Sequence, residues 1–191
     1  MLSDRVKELI EKSRIVSFDW QYPTAVIKIF QQADNERRFL TDEEIDKIKT
    51  ITPDLSEGLA QGKVLRDKVN NIVSSARGVV LDTYPDLTEP GGGLYPPIRA
   101  EACWRDFWHF MRCISYGVSG QALNYTSEIG LDYMEQLYQE LQVPLNAMVL
   151  GLEQLKVFSL QKFDPSERQD LEPYFDRLIE SMSEFSMASN N

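Results

Sequence analysis

One stretch of the chain concentrates the side chains that could do chemistry. Between Ala100 and Arg112 stand Cys103, Arg105, Asp106, His109 and Arg112, interleaved with Trp104, Phe107, Trp108 and Phe110. On a helix, Cys103, Asp106, Phe107 and Phe110 fall at i, i+3, i+4 and i+7 and so share one face. That face sets a thiol and a carboxylate beside aromatic walls, while Arg105 points elsewhere and must reach round. The mixture suits an aromatic, ionisable ligand. For an isolated helix the plainer reading is a small buried cysteine under a solvated, charged face.

Other chemistries find little to work with. His109 is the single histidine, which removes multi-histidine metal sites and leaves triad or acid/base catalysis without its usual partner; no metal site and no enzyme are expected. Pro90-Gly91-Gly92-Gly93 lacks the lysine and hydroxyl of a phosphate loop and follows no strand, so it reads as a flexible turn. The acidic clusters Asp42-Glu43-Glu44 and Glu167 to Asp170 sit in first helical turns, where the macrodipole favours negative charge.

Composition narrows the partners. Thirty acidic against twenty basic residues give a formal net charge of −10, which repels a phosphate backbone and argues against nucleic acid. No apolar run approaches the ~20 residues of a membrane span, although 42% of the chain is hydrophobic, enough for one packed core. The start of the chain, Met1 to Lys12, mixes charged and apolar residues unlike a secretory signal, so a cytoplasmic protein is expected. Cys103 and Cys113, about 15 Å apart on one helix, are too distant to bridge.

The elements that must position the Ala100–Arg112 stretch are helices throughout, since apolar residues recur at three- and four-residue spacing and no stretch alternates like a half-buried strand. The class is all-α. Ser3 caps a first helix lined by Leu2, Val6, Leu9 and Ile10. Pro23 opens a second, ending near Asn35, and Thr41 with Glu44 forms the capping box of a third. The longest periodic run lies from Leu55 to Tyr84, where Gly62 is placed to bend or divide it. A Gly- and Pro-rich loop, Pro85 to Pro97, separates it from the helix at Arg99–Val118. Three more follow, at Thr126–Leu141, from Pro144, and from Pro165 behind an Asp164 cap, before a tail at 186–191 expected to be disordered.

In this order the residues resemble the phycobiliprotein family, in pattern its allophycocyanin α type. Ala33-Asp34 through Arg38-Phe39-Leu40 and Glu44 to Lys49 resembles that family's first helical pair. Tyr84-Pro85-Asp86-Leu87 with Pro90-Gly91-Gly92 and Tyr95 resembles its loop before the chromophore helix. Cys103-Trp104-Arg105-Asp106 with Met111-Arg112 and Ser115-Tyr116-Gly117 resembles that helix itself. Glu128 to Leu131, Leu137-Tyr138, Pro144 and Tyr174-Phe175-Asp176 continue the likeness, which spans roughly Thr24 to Phe185.

The resemblance implies a globin-like helical domain at 23–185, with an N-terminal helical extension at 1–22 and a protruding helical pair through which α and β subunits associate. It implies a linear tetrapyrrole (bilin) as cofactor, attached at Cys103 by a thioether, with Arg105 pairing a propionate, Asp106 accepting from pyrrole N–H groups and Phe110 beside them. Trp104, standing where the family has a smaller aliphatic, adds bulk at the attachment point and is the expected pocket-blocking residue if no pigment is carried. Two readings follow. The first is a non-catalytic bilin-binding protein with a light-harvesting or phycobilisome accessory role. The alternative is a chromophore-free relative that regulates bilin or tetrapyrrole biosynthesis, or phycobilisome assembly, through protein contacts. Expected partners are phycobilisome or tetrapyrrole-pathway proteins, a second copy or a β-type subunit, at the cytoplasmic face of photosynthetic membranes.

Overall fold

The computed structural model describes residues 2–185; the tail at 186–191 expected to be disordered lies outside them. The described residues form eight α-helices, and their one β-type pairing is the isolated antiparallel bridge of Val16 with Thr126. The helices are α1 (Asp4–Lys12), α2 (Thr24–Asn35), α3 (Asp42–Ile51), α4 (Ser56–Thr83), α5 (Pro97–Ser119), α6 (Glu128–Glu140), α7 (Leu145–Leu160) and α8 (Pro165–Ser183). The caps read from sequence are present. The Ser3 hydroxyl accepts from the Val6 amide, and Thr41 with Glu44 and Asp164 with Glu167 close reciprocal capping boxes, each satisfying amides that a helix start otherwise leaves unpaired. Among the described residues no helix is long and apolar enough to cross a membrane.

α5 is the central element. Phe107, Phe110, Met111 and Tyr116 lie in the core with almost no exposure, packed among α4, α7 and α8. Gly62 does not bend α4, which runs unbroken; its role is close approach. A Cβ there would stand 1.9 Å from the Ser119 hydroxyl, and one at Gly58 would stand 2.4 Å from the Val118 carbonyl. The missing side chains let α4 lie directly on the end of α5.

The helical pair precedes this body, and α2 is seated on the chain's own α5. Val26, Phe30 and Ala33 are wholly buried, with the Phe30 ring edge-on to Tyr116 and Trp20. The Tyr116 hydroxyl donates to the Arg38 carbonyl in the turn after α2, and Arg38 grips the Glu44 carboxylate through both terminal nitrogens at 2.7 and 2.8 Å.

The N-terminal extension is also bound to the body. Nine residues are too few for a stable helix in water, so α1 depends on docking: Val6 and Leu9 bury against Leu137 of α6, with Ile10, Tyr133 and Leu141 around them. Each such side chain contributes about 2 kcal/mol. Beyond α1 the Ile15 carbonyl accepts from Ser127 and the Ser17 amide donates to Tyr125. Arg14 passes so close to Gly130 that a Cβ there would meet its carbonyl oxygen at 1.8 Å. This contact carries the N-terminal segment across the space between α5 and α6.

Candidate functional site

α5 and α6, roofed by the N-terminal segment and the end of α2, line a half-open cavity of about 420 Å³, within the range of small-ligand sites. The stripe of α5 that faces it is Ala102, Asp106, His109 and Cys113, with Arg105 and Arg112 on one flank and Phe110 on the other. α6 contributes Met134, Leu137 and Tyr138; the roof contributes Ile10, Arg14, Asp34 and Arg37. Four guanidiniums thus meet two carboxylates in a chain whose net charge is −10.

The charges divide into a closed group and an open one. Asp34 is buried and accepts from Arg14 and from Arg112, each at 2.6 Å. Arg112, itself buried, also donates to the Tyr116 hydroxyl at 3.0 Å and to His109 Nδ1 at 3.3 Å. Asp106 is different. Its contact is the Tyr138 hydroxyl, which donates across 3.4 Å, a long bond. Burial raises the Asp106 carboxyl to about 6 against the opposing pull of Arg105 and Tyr138. The side chains of Arg37 and Arg105 make no hydrogen bond or ion pair among the described residues. His109 registers both: burial first, then Arg112, Arg37 and Arg105, hold its pKa down to about 4. It is therefore a neutral ring at physiological pH, with Nδ1 accepting from Arg112.

Asp106, Phe110 and Arg105 therefore come together as the sequence reading expected, but Cys103 and Phe107 do not join them. At about 100° per residue the four-residue face read from sequence spans a wide arc, and the cavity lies beyond its Asp106 edge. Phe107 points into the core, where a Cβ on Gly151 would overlap its ring. Cys103 is buried outside the lining, its thiol pushed up to about 12 by burial and by Asp106. Trp104 does not block the pocket. It projects from the far side of α5, packing on Phe107 at 5.6 Å and under the Arg77 guanidinium. Arg14, Asp34, Arg37 and Tyr138 are site residues that no local spacing marks, because the tertiary fold brings them in.

A family model described as phycobilisome protein matches residues 28–182. Allophycocyanin subunit alpha-B of Nostoc sp. (strain PCC 7120) is 30% identical over 163 residues, covering 84% of this chain and 99% of that protein. The allophycocyanin alpha-B chain of Cyanidium caldarium is 31% identical over 160 residues, 83% of this chain and 98% of the other. The allophycocyanin alpha chain of Galdieria sulphuraria is 29% identical over 157 residues, 82% and 98%. The family match begins after α1 and the segment that roofs the cavity. On this likeness, and on a helical body whose order matches the sequence pattern throughout, the chain belongs to the phycobilisome protein family as a divergent member similar to the allophycocyanin α type.

Proposed function

We propose that this chain holds a linear tetrapyrrole in the cavity between α5 and α6 and serves as a non-catalytic, light-harvesting or accessory component of the phycobilisome. The observation that carries the reading is Asp106, a half-buried carboxylate whose one hydrogen bond among the described residues is long. A carboxylate withdrawn from water and left short of donors favours a ligand that brings N–H groups. Pyrrole nitrogens supply them, Arg105 suits a propionate, and Phe110 with Tyr138 offers flat walls to a conjugated system. When bound, the tetrapyrrole would supply absorption of visible light. The names of the relatives point the same way, and the family supports assembly with other subunits, a β-type chain or a second copy.

The residues fit the group unevenly. Arg105, Asp106 and Phe110 are placed to hold it. Cys103 lies one helical turn from Asp106 and is the thiol available for a thioether, formed by adding its S–H across a vinyl-type double bond with the proton passing to the adjacent carbon. Its thiol must first be uncovered and ionised. A protonated thiol and a neutral His109 also suit a binding protein better than a catalyst. The chromophore-free regulatory alternative gains nothing from the comparisons, and Trp104 and Trp108, which motivated it together with the added N-terminal helix, stand outside the cavity lining.

Production of the chain with a bilin supply and a suitable lyase tests this reading through the visible spectrum and a zinc-stained denaturing gel. A red-absorbing band is expected for the unaltered chain and a strongly weakened one for Asp106→Asn. Loss of gel fluorescence in Cys103→Ala with the native band retained would mean noncovalent holding plus attachment at Cys103. A colourless product, and no spectral change on titration with free bilin, would overturn the proposal.

A further inference from the structure

His109 lines the cavity on the same stripe of α5 as Asp106, and residues three apart on a helix are neighbours, with about 5–6 Å between their Cβ atoms. The imidazole is fixed from one side. Its Nδ1 accepts from Arg112 Nε at 3.3 Å, and Arg112 is itself locked, since it donates to Asp34 at 2.6 Å and to the Tyr116 hydroxyl at 3.0 Å. The Trp108 ring stands perpendicular to the imidazole at 5.1 Å. With Nδ1 an acceptor, the one proton of a neutral imidazole lies on Nε2. The ring stays neutral, because burial and then Arg112, Arg37 and Arg105 hold its pKa down to about 4 against the opposing pull of Asp34. Among the described residues Nε2–H has no hydrogen-bond partner, and its neighbour Asp106 has one long bond. A donor short of acceptors thus stands beside an acceptor short of donors, which matches a ligand edge carrying C=O next to N–H.

We infer that His109 is a specificity-determining residue of this cavity, its Nε2–H donating to a lactam carbonyl oxygen of the ligand while Asp106 accepts from an adjacent N–H. The inference rests on the tetrapyrrole reading and sharpens it. A linear tetrapyrrole carries a lactam at each end, and the one seated over Asp106 and His109 is the part that this chain reads. A neutral imidazole offers the ligand's acid groups no charge; it discriminates through one directed hydrogen bond, and Arg112 sets which ring nitrogen makes it.

His109 is the single histidine, so the full chain labelled with 15N-histidine reports one ring by NMR. It is titrated with biliverdin and with the bis-lactim methyl ether of biliverdin, which keeps the conjugated chain and both propionates and removes the lactam N–H and C=O groups. The free chain is expected to show the Nε2–H tautomer, with the Nε2 proton moving downfield on binding biliverdin and staying in place with the ether. In absorbance titrations the unaltered chain should bind biliverdin more tightly than the ether. His109→Phe should weaken biliverdin binding about tenfold, the loss of one hydrogen bond to a group left unpaired, and leave ether binding unchanged. His109→Gln, which offers an acceptor to Arg112 and an N–H donor to the ligand, should retain most of the affinity. A merely structural His109 would weaken both ligands alike. If His109→Phe changes the biliverdin-to-ether ratio by less than about twofold, or if the Nε2 signal of the unaltered chain ignores biliverdin that the spectrum shows to be bound, the inference is overturned and the tetrapyrrole reading stands. The second result needs no variant to fold. If the unaltered chain binds neither form and carries no pigment when produced with a bilin supply and lyase, both are overturned.

Discussion

Asp34 and Asp106 line the same cavity and differ in almost everything else. Asp34 is clamped by two guanidiniums at 2.6 Å, and its partners tie together the segment after α1, the end of α2 and the middle of α5. Asp106 has one long contact and a carboxyl raised to about 6. The first carboxylate is spent on architecture; the second has only a long hydrogen bond among the described residues, which is what the proposed ligand role draws on. The contrast separates which charges build the pocket from which ones use it. The Asp34 cluster pins the roof of the cavity, while Asp106 faces its interior and the exposed Arg37 and Arg105 stand at its edge.

The largest effect should come from breaking the closed half. Asp34→Ala leaves Arg112 buried without its carboxylate, an uncompensated charge that costs about 4 kcal/mol. In a chain of this length that lowers Tm by about 10 °C, measurable by calorimetry or circular dichroism. Arg14→Ala removes the half-exposed partner of the same pair and should cost no more than about 1 kcal/mol. Equal losses in the two variants would mean that the cluster is not organised around Arg112.

The open half should reveal itself through pH. Asp106 has a folded pKa above its unfolded value, so between about 4 and 6 the folded state binds more protons, and stability rises as pH falls through that window. His109 has a folded pKa near 4, below its ordinary 6.5; there the unfolded state binds more protons, and stability falls as pH drops from 6.5 towards 4. The two slopes oppose each other in the intact protein. Asp106→Asn should steepen the acid loss, and should add on the order of 2 kcal/mol at pH 7 by removing a desolvated charge. His109→Gln should reverse the slope and make the protein more stable at pH 5 than at pH 7. Denaturant melts of the three proteins at pH 4.5 to 7.5 decide it, and parallel curves would sink the assignment of either group.

The helical framework was legible in the sequence because its signals are local. Ser3, Thr41 with Glu44, and Asp164 announce helix starts, and periodicity supplies the rest. The site was legible only where one helix carries it. Asp106, Arg105 and Phe110, expected from their order on α5, do line the cavity, but the stripe that faces it is Ala102, Asp106, His109 and Cys113, displaced from the one that began at Cys103. Spacing fixes which residues share a face and says nothing about which face a neighbouring helix leaves open. The rotation of α5 is set by Phe107 filling the space over Gly151 and by Trp104 lying under Arg77, contacts between distant parts of the chain. Gly62 misled for the same reason: a glycine that suggests a bend is indistinguishable in sequence from one that admits another helix. Arg37 and Asp34 enter the cavity only because α2 folds back onto α5, which no local pattern encodes.

The smallest effect sharpens the comparison most finely. Tyr138→Phe keeps the ring that walls the cavity and deletes the one hydroxyl among the described residues that reaches Asp106. At 3.4 Å the bond is weak, so the variant should lose less than about 1 kcal/mol at pH 7. Because the hydroxyl donates to the charged carboxylate, its loss should raise the Asp106 pKa further and move the Asp106-dependent part of the stability profile to higher pH. In the Asp106→Asn background the same substitution should leave the pH profile unmoved, since no carboxylate remains to respond. A double-mutant cycle across Asp106 and Tyr138, read at pH 5 and pH 7, therefore isolates this contact. A coupling larger at pH 7 than at pH 5 would show that the hydroxyl serves the ionised form. A coupling independent of pH would mean that the hydroxyl serves the neutral and the ionised carboxyl alike, and the assignment of the contact to the charged form would fail.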